Sequence, residues 1–211
     1  MIPRRSATLA ALLLLAACAG QQTTATGFLA APPPAAEDGS RAFTAVPDRL
    51  RGYRSVWVEE VAFSPGAGAP EAPDAAELAA LRASYRAALR EAFAARNYLL
   101  LDAAPANPAE SLRVRAAITG YERANVRLNL ATTLLIGPVT GGGAASEAEV
   151  VDATTGERLA ALSTHGNATP WLGGPLNYYR AHGHARAALA RHAAALAAQL
   201  PRRPQNWADA R

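Results

Sequence analysis

No lysine occurs among the 211 residues; all 21 basic side chains are arginine. Schiff-base catalysis, a pyridoxal anchor and the lysine of a phosphate-binding loop all need a primary amine, so these classes fall together. Only one cysteine is present, Cys18, which excludes an internal disulfide. An odd free thiol in an exported chain would invite intermolecular pairing. Histidine is sparse as well. His184 and His192 stand about 12 Å apart along a helix axis, and His182 and His184 point to nearly opposite faces. No pair has the i, i+4 spacing that shares a metal ion. His182 and His192 flank an apolar stripe and read as packing at the edge of a core. There is no Gly-x-Ser-x-Gly, and Ser163 with His165 merely shares a strand. Basic runs never exceed two residues, and the arginines are scattered among acids. Nucleic acid is excluded as a partner on that ground.

What is present begins with "MIPRRSATLAALLLLAACAG". Arg4 and Arg5 form a positive segment, Ala7 to Leu15 an apolar one, and small residues follow, the layout of a secretory signal. The apolar run is far short of the ~20 residues of a spanning helix. It ends Leu15-Ala16-Ala17-Cys18, which resembles the lipobox of bacterial lipoproteins. The resemblance implies cleavage between Ala17 and Cys18, a thioether-linked diacylglycerol on Cys18 and a third acyl chain on its amino group. Each buried CH₂ contributes about 0.8 kcal/mol, so several chains anchor firmly. Ala19 follows in place of the aspartate that retains such proteins in the inner membrane, so the expected location is the outer membrane, facing the periplasm. Cleavage removes Arg4 and Arg5, and the formal charge falls from +4 to +2.

The reading divides the chain into a signal peptide (1–17), a lipidated N-terminus and proline-rich tether (18–50), a domain (51–200) and a polar tail (201–211). Within the tether, Gly27-Phe28-Leu29 interrupts the polarity and offers an apolar contact to the body. "SVWVEEVAF", Ser55 to Phe63, is rich in β-branched and aromatic residues and predicts a strand. Asp74 with Glu77 forms a capping-box pattern that opens a helix running to about Arg96, with Leu78, Leu81, Tyr85, Leu89 and Phe93 as its stripe. Asn97 suits the left-handed cap, and "NYLLLD" predicts a short strand. Leu112, Val114, Ala116 and Ile118 alternate with Arg113, Arg115 and Ala117, which puts the arginines in water. A turn at "GYERAN" would pair this strand with Val126–Leu130. "SEAEVVDATTGERLAALS" predicts a second hairpin, with Gly156 at a positive φ. An alanine-rich helix from about Leu176 to Leu200 ends at Pro201. The expected fold is α+β: a two-layer sandwich, with a mostly antiparallel sheet of five to six strands and two helices on one face.

Candidate chemistry is thin. The glycine-rich "GPVTGGGAASE" lacks a lysine and precedes a strand, so it reads as a link. Glu147 and Glu149 share one strand face and read as solvated neighbours; Glu59 and Glu60 point to opposite sides. No catalytic residue, metal site or cofactor is predicted. Leu128 to Ala145 carries no charge, which fits either core or an exposed contact patch. Leu134, Leu135 and Ile136, together with Trp207 in the tail, are the candidate partner contacts.

Thr26-Gly27-Phe28-Leu29, "YRSVWVEEVAF" and "GGGAASEAEVVDATTGERLAAL" together resemble an uncharacterised family of bacterial lipoproteins with a domain of unknown function, of the DUF3313 type. The run "AAPPPAAEDGS" departs from it where the family is more aromatic. More distantly, the element order resembles periplasmic domains of envelope-assembly lipoproteins such as the curli secretion component. These resemblances imply lipidation and fold and carry no enzymatic residues. The expectation is a non-enzymatic envelope module held to the membrane by acyl groups and meeting an envelope protein, its oligomeric state open. The alternatives are a glycan or lipid hydrolase whose carboxylates meet only on folding, and a carrier of apolar ligands.

Overall fold

The computed structural model describes residues 26–36, 40–66, 73–122, 142–167 and 182–204. Its strands are β1 (Arg41–Thr44), β2 (Ser55–Val58), β3 (Ala62–Phe63), β4 (Leu99–Leu101), β5 (Ser111–Glu122), β6 (Gly143–Asp152) and β7 (Arg158–Asn167). Its helices are α1 (Ala75–Ala94) and α2 (Gly183–Ala198), and a 3-10 turn spans Pro47–Leu50. Six strands lie in the order β1-β7-β6-β5-β2-β4, and β3 joins β5 as a seventh. The antiparallel ladder β1-β7-β6-β5 carries most of the register pairs; β2, β3 and β4 add parallel pairs. The fold is α+β as expected, but the sheet is mixed. Because β4 returns parallel to β2, α1 serves as the crossover that parallel pairing requires.

Local chemistry accounts for the element ends. The Asp74 carboxylate accepts from the Glu77 amide at 2.8 Å, capping α1. Past its end, Asn97 adopts φ 64, and its amide donates to the Ala94 carbonyl. The β6–β7 turn is held by Asp152, whose Oδ1 accepts from the amides of Thr154 and Thr155, with Gly156 at φ 73. Burial alone would raise the Asp152 pKa; the Tyr53 hydroxyl and these amides outweigh it and hold the carboxyl below its usual range.

Leu81, Tyr85, Leu89 and Phe93 of α1 are buried, while Leu78 is half-buried. On α2 the buried face is mostly small: Ala185, Ala188, Ala193 and Ala197 with Leu189 and Leu196. Small side chains let this helix approach β6 and β7 closely. Gly166 marks the tightest point, where a Cβ would lie 2.9 Å from His192 Nε2 and 3.0 Å from Ala188 Cβ. Both helices share one core with Val56, Leu112, Val114, Ile118, Val150 and Leu159.

Three expectations change. "GYERAN" does not turn at its glycine: β5 runs through Gly120 and Tyr121 to Glu122, with a register shift between Ile118 and Gly120, and it pairs with β6. Gly120 serves a bulge, a second use of glycine in strands. Val126–Leu130 lie outside the described residues, as does the start expected for the last helix. The strand expected over Ser55 to Phe63 is two, β2 and β3, separated by Glu59–Val61. Finally, much of the stretch read as tether lies on the body. Residues 26–36 cross the sheet, and β1 pairs with β7.

Candidate functional site

The sheet has one face under the helices and one face away from them, and β6 supplies a side chain to each in turn. Ser146, Ala148 and Val150 point to the helices. Glu147 and Glu149 point away, and neither is solvated: Glu147 is 2% exposed and Glu149 5%. The expectation of a solvated acidic face is therefore corrected. The cover is the chain's own N-terminal stretch, folded across the outer face.

Glu147 is the centre of that contact. Its Oε1 accepts the Thr26 amide at 3.0 Å, and its Oε2 accepts the Thr26 hydroxyl at 3.1 Å and the Leu29 amide at 3.4 Å. Hydrogen bonds to a charged acceptor contribute about 1.5–3 kcal/mol each, and burying a leucine a similar amount. Leu29 is buried, and the Phe28 ring lies 5.6 Å from the Arg115 guanidinium. Ordering each strap residue costs about 1–2 kcal/mol of backbone entropy. The gains and the ordering cost over residues 26–33 are of the same order.

Glu149 is held differently. Arg115 NH1 lies 2.7 Å from one oxygen and Arg158 Nε 2.9 Å from the other. Arg158 also donates to the Ala31 carbonyl, so it fastens the strap as well, and Arg41 donates to the Pro33 carbonyl. Arg113 and Arg115, expected in water, are half-buried and face Glu59 at 3.7 and 4.0 Å. Ala117, on the same side of the strand, is fully buried. Glu60 turns the other way, to Arg86 of α1 at 2.7 Å. The opposite orientations expected of Glu59 and Glu60 hold.

On the helix side, sequence reasoning missed a buried polar chain. The Tyr85 hydroxyl donates to Ser146 Oγ at 3.1 Å, and Ser146 Oγ lies 2.9 Å from His192 Nδ1. With Tyr85 donating to its oxygen, Ser146 keeps its own proton for a neutral imidazole. Burial, reinforced by Arg191 and His165, pushes His192 down to about 3. Burial pushes Tyr85 up to about 12. A serine–histidine pair can suggest a nucleophile, but both groups are buried inside the core. His182 sits elsewhere, with Nδ1 2.6 Å from the Tyr121 hydroxyl and Nε2 3.3 Å from Glu77. It joins the start of α2 to β5 and α1. Among the described residues no three acids, histidines or cysteines group as a metal site, and no helix is long and apolar enough to cross a membrane.

Ala17, Cys18, Leu134, Leu135, Ile136 and Trp207 lie outside the described residues. Of the uncharged 128–145 segment, Gly142, Gly143 and Ala144 are described and buried, and Ala145 is half-buried. The tail's first residues are pinned. The Arg203 amide donates to the Arg96 carbonyl, its guanidinium to the Leu50 carbonyl, and it lies over the Tyr98 ring.

No curated protein matches the chain. Among solved structures, the PelC dodecamer from Paraburkholderia phytofirmans is similar at 13% identity and TM-score 0.49, over 77% of this chain and 98% of that one. A single-substitution form of that dodecamer gives 13% and 0.48, over 78% and 98%. A hypothetical protein from Chlamydia trachomatis gives 12% and 0.35, over 70% and 93%. The family described as "Protein of unknown function (DUF3313)" matches residues 31–191, which takes in every described strand, α1 and about half of α2, and to that family the chain belongs.

Proposed function

We propose that this protein is an outer-membrane lipoprotein facing the periplasm, whose body works as a non-enzymatic interaction or assembly module of the envelope. The observation that carries the reading is the strap. Thr26, eight residues after the lipobox cysteine, is bonded into the sheet at Glu147. A chain fastened to its own body so soon after Cys18 transmits the position of an acyl anchor directly to the sheet. The two outer-face carboxylates that a hydrolase could have used are engaged instead, Glu147 by the strap and Glu149 by Arg115 and Arg158. The membrane is one partner, through the acyl groups on Cys18. An envelope protein is the other, with Leu134, Leu135, Ile136 and Trp207 as its proposed contacts.

Mass spectrometry of the N-terminal peptide from the native host's envelope tests this. The expected peptide begins at Cys18 and carries a diacylglycerol and an amide-linked acyl chain. An unmodified thiol, or processing at another bond, would overturn the anchor and the location together.

A further inference from the structure

We infer that residues 26–36 form a latch that gives the lipid tether two lengths, short when Thr26 and Leu29 are seated on Glu147 and long when they are released. The inference rests on the lipid-anchor reading above. The latch itself stands on geometry within the described residues. Seated, the strap leaves only residues 19–25 between the anchored Cys18 and the body. The eight chain steps from Cys18 to Thr26 span at most about 28 Å. Released as far as β1, whose ladder with β7 fixes Arg41, the same chain has 23 steps and a reach of about 80 Å. Proline-rich segments stay extended, so Pro32-Pro33-Pro34 lengthens the working distance of the released form.

Two features fit the strap for opening by itself. From Thr26 to Ala31 it is held through side chains of the body: Glu147, Arg115 and Arg158, with Ser64 Oγ 3.4 Å from the Thr26 hydroxyl. The β-ladder contact begins only near its far end, at the bridge of Ala35 to Arg41 and the bond from the Ala42 amide to the Pro34 carbonyl. Segments fastened by a few peripheral contacts open well below the global unfolding free energy. The sheet beneath does not depend on the strap, because β5, β6 and β7 pair with one another and pack on the helices from the other side. Release also turns Glu147 from a strap-bonded carboxylate into one open to water, so the seated and released forms are two discrete states.

The test uses the full acylated chain, purified from membranes, with Thr26→Val and Glu147→Gln as variants. Hydrogen exchange should show strap amides exchanging at least tenfold faster in each variant, while the β6–β7 amides keep wild-type protection. Unchanged strap exchange in both variants overturns the latch. So does a strap that exchanges only together with the sheet. Should Glu147→Gln fail to fold, Thr26→Val, which alters one half-buried hydroxyl, still decides. For the two lengths, a donor dye at Val46→Cys is read against rhodamine headgroups in phosphatidylethanolamine–phosphatidylglycerol vesicles. Transfer efficiency should fall by half or more in the variants. Equal efficiency overturns the two-length tether with the anchor intact. A chain that does not associate with vesicles overturns the anchor, and exchange reads the latch separately.

Discussion

Strand β6 shows two ways of burying a sheet. Its helix-facing side chains, Ser146, Ala148 and Val150, are sealed by α1 and α2 with leucine, alanine and aromatic groups. Its other side, Glu147 and Glu149, is sealed by an extended strap and two arginines. Burial fractions on the two sides are nearly equal, yet the energetics differ. The helix side gains from apolar area and close packing, which act whenever the core is assembled. The strap side depends on a few hydrogen bonds and ion pairs, which are set against desolvation and the ordering of an extended chain. One side is built to stay shut. The other is fastened by polar contacts.

Substitutions should separate the two faces. The largest effect is expected from Leu89→Ala, a fully buried side chain of α1, at about 2–5 kcal/mol by urea denaturation. A loss below about 1 kcal/mol would mean that the helix layer is not the main source of stability. Gly166→Ala should follow at about 1–3 kcal/mol, because its Cβ has no room against His192 and Ala188. Thermal denaturation reads it, and an unchanged Tm would show that α2 does not press on β7.

Acid titration comes next. His192 is held down to about 3 in the folded chain, against about 6.5 unfolded, so the unfolded state binds the extra proton between these values. Stability is therefore full above about pH 6.5 and falls as the pH drops toward 3, by about 1.4 kcal/mol per unit at its steepest. His192→Gln should remove that slope; an unaltered profile would place the acid sensitivity elsewhere. The smallest effect is expected from Thr26→Val, at about 1 kcal/mol or less of global stability. It should raise cleavage of the strap by a nonspecific protease while the remainder resists. A global loss as large as that of Leu89→Ala would erase the distinction between the faces.

What the sequence revealed follows the range of each interaction. The Asp74–Glu77 cap, the α1 stripe, Asn97 and the Gly156 turn are set by neighbours within a few residues, and all were legible. The parallel pairing was not, because β2 pairs with β5 across more than fifty residues and β4 is only three residues long. The burial of Glu147 was hidden for the same reason. Its partner Thr26 lies 121 positions away, and an acid alternating with alanine has the pattern of a solvated face. Gly27-Phe28-Leu29 was the one local sign, an apolar interruption in a polar tether. The Tyr85–Ser146–His192 chain links three elements and left no trace at helical or strand spacing.

The central claim is that the outer sheet face is covered by the chain's own residues 26–36. A photo-crosslinker placed at Phe28, as Phe28→p-benzoylphenylalanine in the full chain in the native host, addresses it most directly. The predicted product migrates at monomer mass, with the crosslink mapping to the β5 peptide that contains Arg115. Crosslinking solely to other molecules, or no intrachain product at all, would contradict the account.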